Sequence, residues 1–409
     1  MARTVAIGEQ DFSKIIENQY FYVDKTYFIK EWWENGDTVT LITRPRRFGK
    51  TLVMNMLDCF FSFSYAGRSD LFENLSIWEE EKYRKLQGTY PVIFLSFAAV
   101  KSDNDQSACR LISRLVAQEY RRHAFFLKDD SLWAESKRFE TVDGGVVSTD
   151  ELSLSLNRLS EYLYQAYGKK VIILLDEYDT PMQEAYVWGY WEQLTQLIRM
   201  FMNATFKTNP FLERGIMTGI TRVSKESIFS DLNNLAVVTT TSPMYEDAFG
   251  FTEKEVIGAL TEFGLQGQIS GVRRWYDGFR FGGNDHIYNP WSITNFLKYK
   301  ELKYYWANTS SNRLAGLLIL KTDIDTKLIM EELLLGNSFY AQVDEELAFN
   351  DLDFKKSAVW GLLLASGYLK VLQVVKSRRG KAEYELALTN QEARFIFDEM
   401  VTGWFSNIF

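Results

Sequence analysis

Four short apolar runs constrain this chain more than any other feature. "TVTLIT" (38–43), "YPVIFLSF" (90–97), "KVIILLDE" (170–177) and "LERGIMTGIT" (212–221) each have the length and content of a buried strand. Helical stretches separate them at 50–63, 105–125, 150–167 and 190–209. Strands alternating with helices point to a parallel α/β sheet covered on both faces.

The 409 residues are too many for one ordinary domain. With 6 Pro in the chain, no proline-rich linker marks a boundary, so boundaries come from changes of pattern. Residues 1–234 carry the α/β alternation, preceded by a helix from residue 12, a strand-like "YFYVDKT" (20–26) and an aromatic helix ended by Gly36. Residues 235–340 read as helices without buried strands. In 341–409, the helix "SAVWGLLLASGYL" precedes two strands flanking "KSRRGKA", and "QEARFIFDEMVTGWF" closes as a helix. Helix, hairpin and helix predict a winged-helix-like region.

Net charge is −8, which argues against nucleic-acid binding over the whole surface but allows a local basic patch. Two cysteines, Cys59 and Cys109, exclude a disulfide framework. Adding His123 and His286 leaves too few ligands for a structural zinc. There is no signal-like apolar N-terminus and no apolar run of about 20 residues, so a soluble, cytoplasmic protein without a membrane partner is expected.

The first strand runs into "RPRRFGKT" (44–51). A phosphate loop has the form G-x-x-x-x-G-K-[ST] between strand and helix. Gly49, Lys50 and Thr51 match, and Arg44 stands at the first glycine. Consecutive backbone N–H groups and a helix N-terminus hold phosphate oxygens. The candidate nucleotide contacts are therefore Arg44, Pro45, Arg46, Arg47, Phe48, Gly49, Lys50, Thr51 and Leu52. Lys50 would reach the β- and γ-phosphates, and the Thr51 hydroxyl would ligate Mg²⁺. The plain alternative is a chance G-K-T in a basic turn.

"LLDEYDTP" (174–181) supplies the second half of such a site. Asp176 would hold the Mg²⁺ shell, and Glu177 would polarise the attacking water as general base. Asp179 fits a turn or an orienting role better than catalysis. Alone, an acidic pair after a strand is a solvated strand end; with Lys50 and Thr51 it becomes a metal and water site. Thr221, ending the fourth strand where open α/β sheets bind ligands, could orient the water. Arg222 could meet the γ-phosphate in cis, or in trans from a neighbouring copy in a homo-oligomer. Its alternative is an exposed arginine in a polar turn.

Together these residues resemble the bacterial AAA-ATPase-like family. The resemblance is carried by "FYVDKTYFI", "LITRPRRFGKTLVMNMLDCFF", "LLDEYDTP", "TGITRVSKESIFSDLNNL", "FGFTEKEV", "WYDGF", "YNPWSI" and "YWANTSSN", in the family's order along nearly the whole chain. Arg44 for glycine is the family's own form. The resemblance implies a P-loop NTPase core of the additional-strand, AAA-like type, then a helical lid and a winged-helix-like region. It also implies ATP as the nucleotide, which spacing alone cannot separate from GTP. A PD-(D/E)XK nuclease-like domain often follows in the family; no D…E-x-K constellation after a core strand is seen here, so nuclease activity is not expected.

Three functions remain at this level. One is a Mg²⁺-dependent ATPase acting as a switch or motor-like module. A second is a slowly hydrolysing nucleotide-binding scaffold. A third is nucleic-acid binding through the C-terminal hairpin, where Lys376, Arg378, Arg379 and Lys381 cluster, although such a cluster is more often a solvated tip. Tyr22 to Thr26 are candidates to cover the adenine, with strand packing the plainer reading. Trp275, Tyr276 and Trp291 read as core or lid-packing residues, and Asp277 has no evident chemistry.

Overall fold

A computed structural model describes residues 2–140, 147–223, 229, 232–306, 313–343, 346–347, 352, 356–376 and 382–405. Its centre is a five-stranded sheet of β1 (Val39–Thr43), β2 (Val92–Ser96), β3 (Val171–Asp176), β4 (Leu212–Gly219) and β6 (Leu235–Val238). The two-residue β5 (Arg222–Val223) lies between β4 and β6 in sequence. The spatial order is β2-β3-β4-β1-β6, and every pairing is parallel. Thus β4 separates β1 from β3, and the ends of β1, β3 and β4 lie side by side.

The sheet is buried on both faces, which is why its strands read as continuous apolar runs. Alternation along β3 shows the division. Ile172 and Leu174 join the cluster containing Val53, Met54 and Leu57 of the helix Lys50–Phe61. Val171, Ile173 and Leu175 join the opposite cluster, with the helices Asp105–Leu127, Ser155–Tyr167 and Trp191–Met202.

The fifth strand lies past the expected break after Asn234. Its apolar run, Leu235-Ala236-Val237-Val238, is only four residues long, and of these only Val238 is fully buried. "YFYVDKT" forms no strand beyond an isolated bridge between Thr4 and Tyr20. Two antiparallel sheets follow the core. One has the order β7-β9-β8, from β7 (Phe251–Thr252), β8 (Phe279–Phe281) and β9 (Asn284–Tyr288). The other has the order β10-β13-β12, from β10 (Phe339–Ala341), β12 (Leu369–Lys376) and β13 (Ala382–Leu388). The short β11 (Glu346–Leu347) pairs in parallel with β5. The β12–β13 hairpin is formed, but residues 377–381 and the Lys376 side chain lie outside the described residues. Among the described residues, no helix is long and apolar enough to cross a membrane.

A buried charge cluster braces the edge of the sheet. β2 has one neighbour, and its outward backbone groups are met by side chains. Phe94 N–H donates to Glu119 Oε1 at 2.9 Å, and Arg122 donates to the Val92 carbonyl at 2.5 Å. Arg122 also bonds Glu119 and, on the helix Lys50–Phe61, Asp58. Burial pushes the Glu119 carboxyl up, but Arg122 and His123 overcome it and hold it at about 2. Removing one partner of such a network leaves buried charge unpaired, at about 3–5 kcal/mol. Glu119→Ala should therefore lower the unfolding free energy read from urea denaturation by that much. A loss under about 1 kcal/mol would contradict the bracing role.

Candidate functional site

The segment from Arg44 to Gly49 leaves β1 at Thr43 and is pinned at once, as Arg44 N–H donates to the Gly219 carbonyl at 3.1 Å. Two left-handed residues shape it, Arg47 (φ 67°) and Gly49 (φ 85°). Gly49 caps the helix Lys50–Phe61, and glycine adopts that conformation without the strain a Cβ would add. Lys50 is buried, with Nζ 3.1 Å from the carbonyl oxygens of Arg44 and Pro45 and 3.4 Å from Glu177 Oε1.

Asp176 ends β3 and is fully buried. Its Oδ2 accepts from Thr51 Oγ1 at 2.8 Å and Ser96 Oγ at 3.1 Å; its Oδ1 accepts from Thr218 Oγ1 at 2.7 Å. Hydroxyls from the helix Lys50–Phe61, β2 and β4 thus converge on one carboxylate. Burial raises its pKa first, the adjacent Glu177 raises it further, and the hydroxyl bonds and Lys50 oppose the shift. Ser96 and Thr218 were missed from sequence. The signal was there, a hydroxyl residue at or next to the end of each apolar run, but single hydroxyls at strand ends are common.

Glu177 stands just past the strand end in a left-handed conformation (φ 52°), with its side chain partly open to the cleft. Asp179 is turned inward. Its Oδ2 accepts from the Thr221 hydroxyl at 2.7 Å, from the Thr221 and Ile220 N–H groups, and from Gln183. Thr221 is buried, and its carbonyl accepts from Tyr178. Its hydroxyl is therefore committed to Asp179 rather than presented to the cleft. Arg222 lies in β5, paired with Glu346 of β11, and is not among the cleft-lining residues.

The cleft over these groups has a volume of about 390 Å³, within the range of small-ligand sites. One wall is the loop from Arg46 to Leu52, with Glu177 and Ser96 beside it. A second is Phe251, Pro290, Trp291 and Thr294, from β7 and the helix Pro290–Tyr299. The N-terminal segment forms the third, with Phe21, Tyr22 and Val23. The Arg47 guanidinium lies 4.4 Å over the Trp291 ring, which places that tryptophan at the mouth rather than in a core. Arg46 reaches Gln183 at 3.4 Å. Arg44 and Pro45 do not line the cleft, and the Arg44 side chain points the other way, fully buried. Tyr276 is core, Trp275 packs on Tyr304, and Asp277 pairs with His286 at the surface.

Thr51 Oγ1 and Asp176 Oδ2 are hard oxygen donors side by side, and Mg²⁺ takes one or two such protein ligands while keeping water and phosphate oxygens. The donor set therefore fits that ion. No group of three or more His, Cys, Asp or Glu residues able to hold a metal occurs among the described residues.

Fold and site together define a mixed α/β protein with a P-loop-like parallel core. The chain belongs to the AAA-ATPase-like family, whose model, described as "Predicted AAA-ATPase", matches residues 6–229, more than half of the length. It is also similar to the "Uncharacterized protein in vnfD 5'region" of Azotobacter chroococcum mcd 1. The two are 26% identical over 403 residues, which cover 97% of this chain and 69% of that protein.

Proposed function

We propose that the cleft binds ATP with Mg²⁺ and hydrolyses it, and that the protein works as a nucleotide-driven switch. The core in this reading is of the additional-strand type and runs on through β6 to Val238, the residues from there to 340 act as a lid of helices around the β7-β9-β8 sheet, and 341–409 act as a winged-helix-like region. The observation that carries it is the 2.8 Å contact of Thr51 with Asp176, with Glu177 and Lys50 3.4 Å apart beside it. The position of β4 between β1 and β3 supports the core assignment, and Trp291 and Thr294 on the far wall support the lid.

Each residue then has a separate task. Lys50 and the loop N–H groups hold phosphate oxygens. Thr51 and Asp176 hold Mg²⁺, which when bound neutralises phosphate charge. Glu177 takes a proton from the water that attacks the terminal phosphorus. Asp179 fixes Thr221 and, through it, the end of β4 beside Asp176. Lys50 and Glu177 face each other, so phosphate must draw the lysine away before the carboxylate can act as base. That pairing favours slow turnover as a second reading, in which ATP sets the domain arrangement and hydrolysis resets it.

Calorimetric titration with a non-hydrolysable ATP analogue tests the site. Affinity should fall when EDTA replaces Mg²⁺, and Asp176→Asn should weaken the Mg²⁺-dependent part by about 10–100-fold. An affinity indifferent to Mg²⁺ and to Asp176→Asn would reject the metal assignment.

A further inference from the structure

The phosphate loop is gripped from behind by the rest of the chain. Arg44 donates to the carbonyls of Thr43 at 2.9 Å, Thr239 at 2.8 Å, and Met244 and Tyr245 at 3.4 Å. Its guanidinium also lies 4.6 Å from the Phe281 ring of β8 and 5.8 Å from Phe249. Its hydrogen-bond partners are carbonyls, not carboxylates, so a full charge is buried on dipoles and ring faces. Burial pushes its pKa down to about 9, with Glu246 opposing. The planar five-donor fork suits this arrangement, and an ammonium cannot reproduce it.

Phe48 packs edge-on against Phe279 and Phe281 of β8, and its carbonyl accepts from Gly250 N–H at 3.2 Å. Pro45 meets the turn that leads into β12. Gly367 there has φ 85°, and a Cβ on it would come within 3.0 Å of Pro45 Cγ and 2.9 Å of Phe279. The carbonyls of Arg44 and Pro45 are also the two that hold the Lys50 ammonium. One short segment thus touches the phosphate-binding lysine through its backbone, and two distant parts of the chain through its side chains.

We propose that Arg44 is a positioning residue that couples nucleotide binding to the lid root and, through its neighbour Pro45, to the C-terminal hairpin. This rests on the cleft being a nucleotide site. A phosphate that draws the Lys50 ammonium changes its hold on the 44 and 45 carbonyls. The rigid fork passes that change to Thr239–Tyr245 and β8, and Pro45 passes it to the Gly367 turn and β12. An alanine or glycine at position 44 would leave the loop free to respond alone.

Hydrogen exchange on the full chain tests this, with and without saturating Mg²⁺ and the β,γ-imido analogue of ATP. In the parent, protection should rise over Lys50–Phe61 and also over 239–250, 279–288 and 369–376. The distant rises should be about fivefold or more, the low end of ordinary coupling. Arg44→Lys should keep the rises over Lys50–Phe61 and 369–376 and lose those over 239–250 and 279–288. Pro45→Ala, a milder change that serves if Arg44→Lys does not fold, should lose only the rise over 369–376. A merely structural Arg44 would raise exchange equally with and without ligand and leave the difference intact. Parent-sized distant changes in both variants, or protection confined to Lys50–Phe61 in the parent, overturn the coupling. No protection over Lys50–Phe61 in the parent overturns the nucleotide reading instead.

Discussion

Lys50→Ala is expected to weaken Mg²⁺–ATP binding by roughly 30-fold or more, the equivalent of about 2–5 kcal/mol for truncating one partner of a buried charged contact. Lys50 is the cation at the floor of the cleft, 3% exposed and aimed between two loop carbonyls and Glu177. No other side chain on the loop can replace it. Arg44 is committed behind the loop, Arg46 reaches out to Gln183, and Arg47 is stacked on Trp291. The loss should appear in calorimetric titration with an ATP analogue. A thermal melt on the same sample separates it from misfolding, because Lys50→Ala leaves the buried brace at Glu119 and Arg122 untouched. An unchanged dissociation constant in the folded variant would reject the phosphate-loop assignment.

Glu177→Gln is expected to bind ATP and to turn it over about 10²–10⁴-fold more slowly, the usual contribution of a general base. Glutamine keeps the size of the side chain and its reach into the cleft. It also keeps a backbone position already held at φ 52° by the bonds of Tyr178 N–H to Thr218 and Thr180 N–H to the Glu177 carbonyl. It loses the ability to accept the water's proton. It also loses the charge facing Lys50, so binding should hold or tighten while hydrolysis fails. The opposite pattern is expected of Asp176→Asn, where the altered group contacts Thr51 and the metal donors rather than the water. The two neighbouring substitutions therefore separate binding from chemistry.

The parallel sheet and the pairing of Lys50 and Thr51 with Asp176 and Glu177 were legible because each is written locally. Buried parallel strands are continuous apolar runs, and the loop and acidic segments are short motifs at strand ends. What escaped depends on distant contacts. Arg44 reads as a loop residue near phosphate. Its burial is decided by Phe249, Phe281 and the carbonyls of Thr239 to Tyr245, about 200 positions away in sequence. The β6 strand escaped because its apolar run, Leu235 to Val238, is four residues long, too short to separate strand from helix without its pairing to β1. The β8–β9 hairpin had its signal in Gly282-Gly283 between two strand-like runs, and the strength of the surrounding helical pattern masked it. The role of Asp179 was half visible. Its place after Glu177 allowed an orienting function, but only the fold brings Thr221 to its carboxylate.

Hydrolysis of ATP by these residues is what separates an enzyme from a nucleotide-bound scaffold. Its most direct test is phosphate release by the purified protein with ATP and Mg²⁺, measured beside Glu177→Gln on preparations shown to bind the nucleotide equally. Release by the parent should depend on Mg²⁺ and should fall by at least about tenfold in the variant, the cautious side of a general-base effect. Equal rates in parent and variant would place the base elsewhere and contradict the assignment of Glu177.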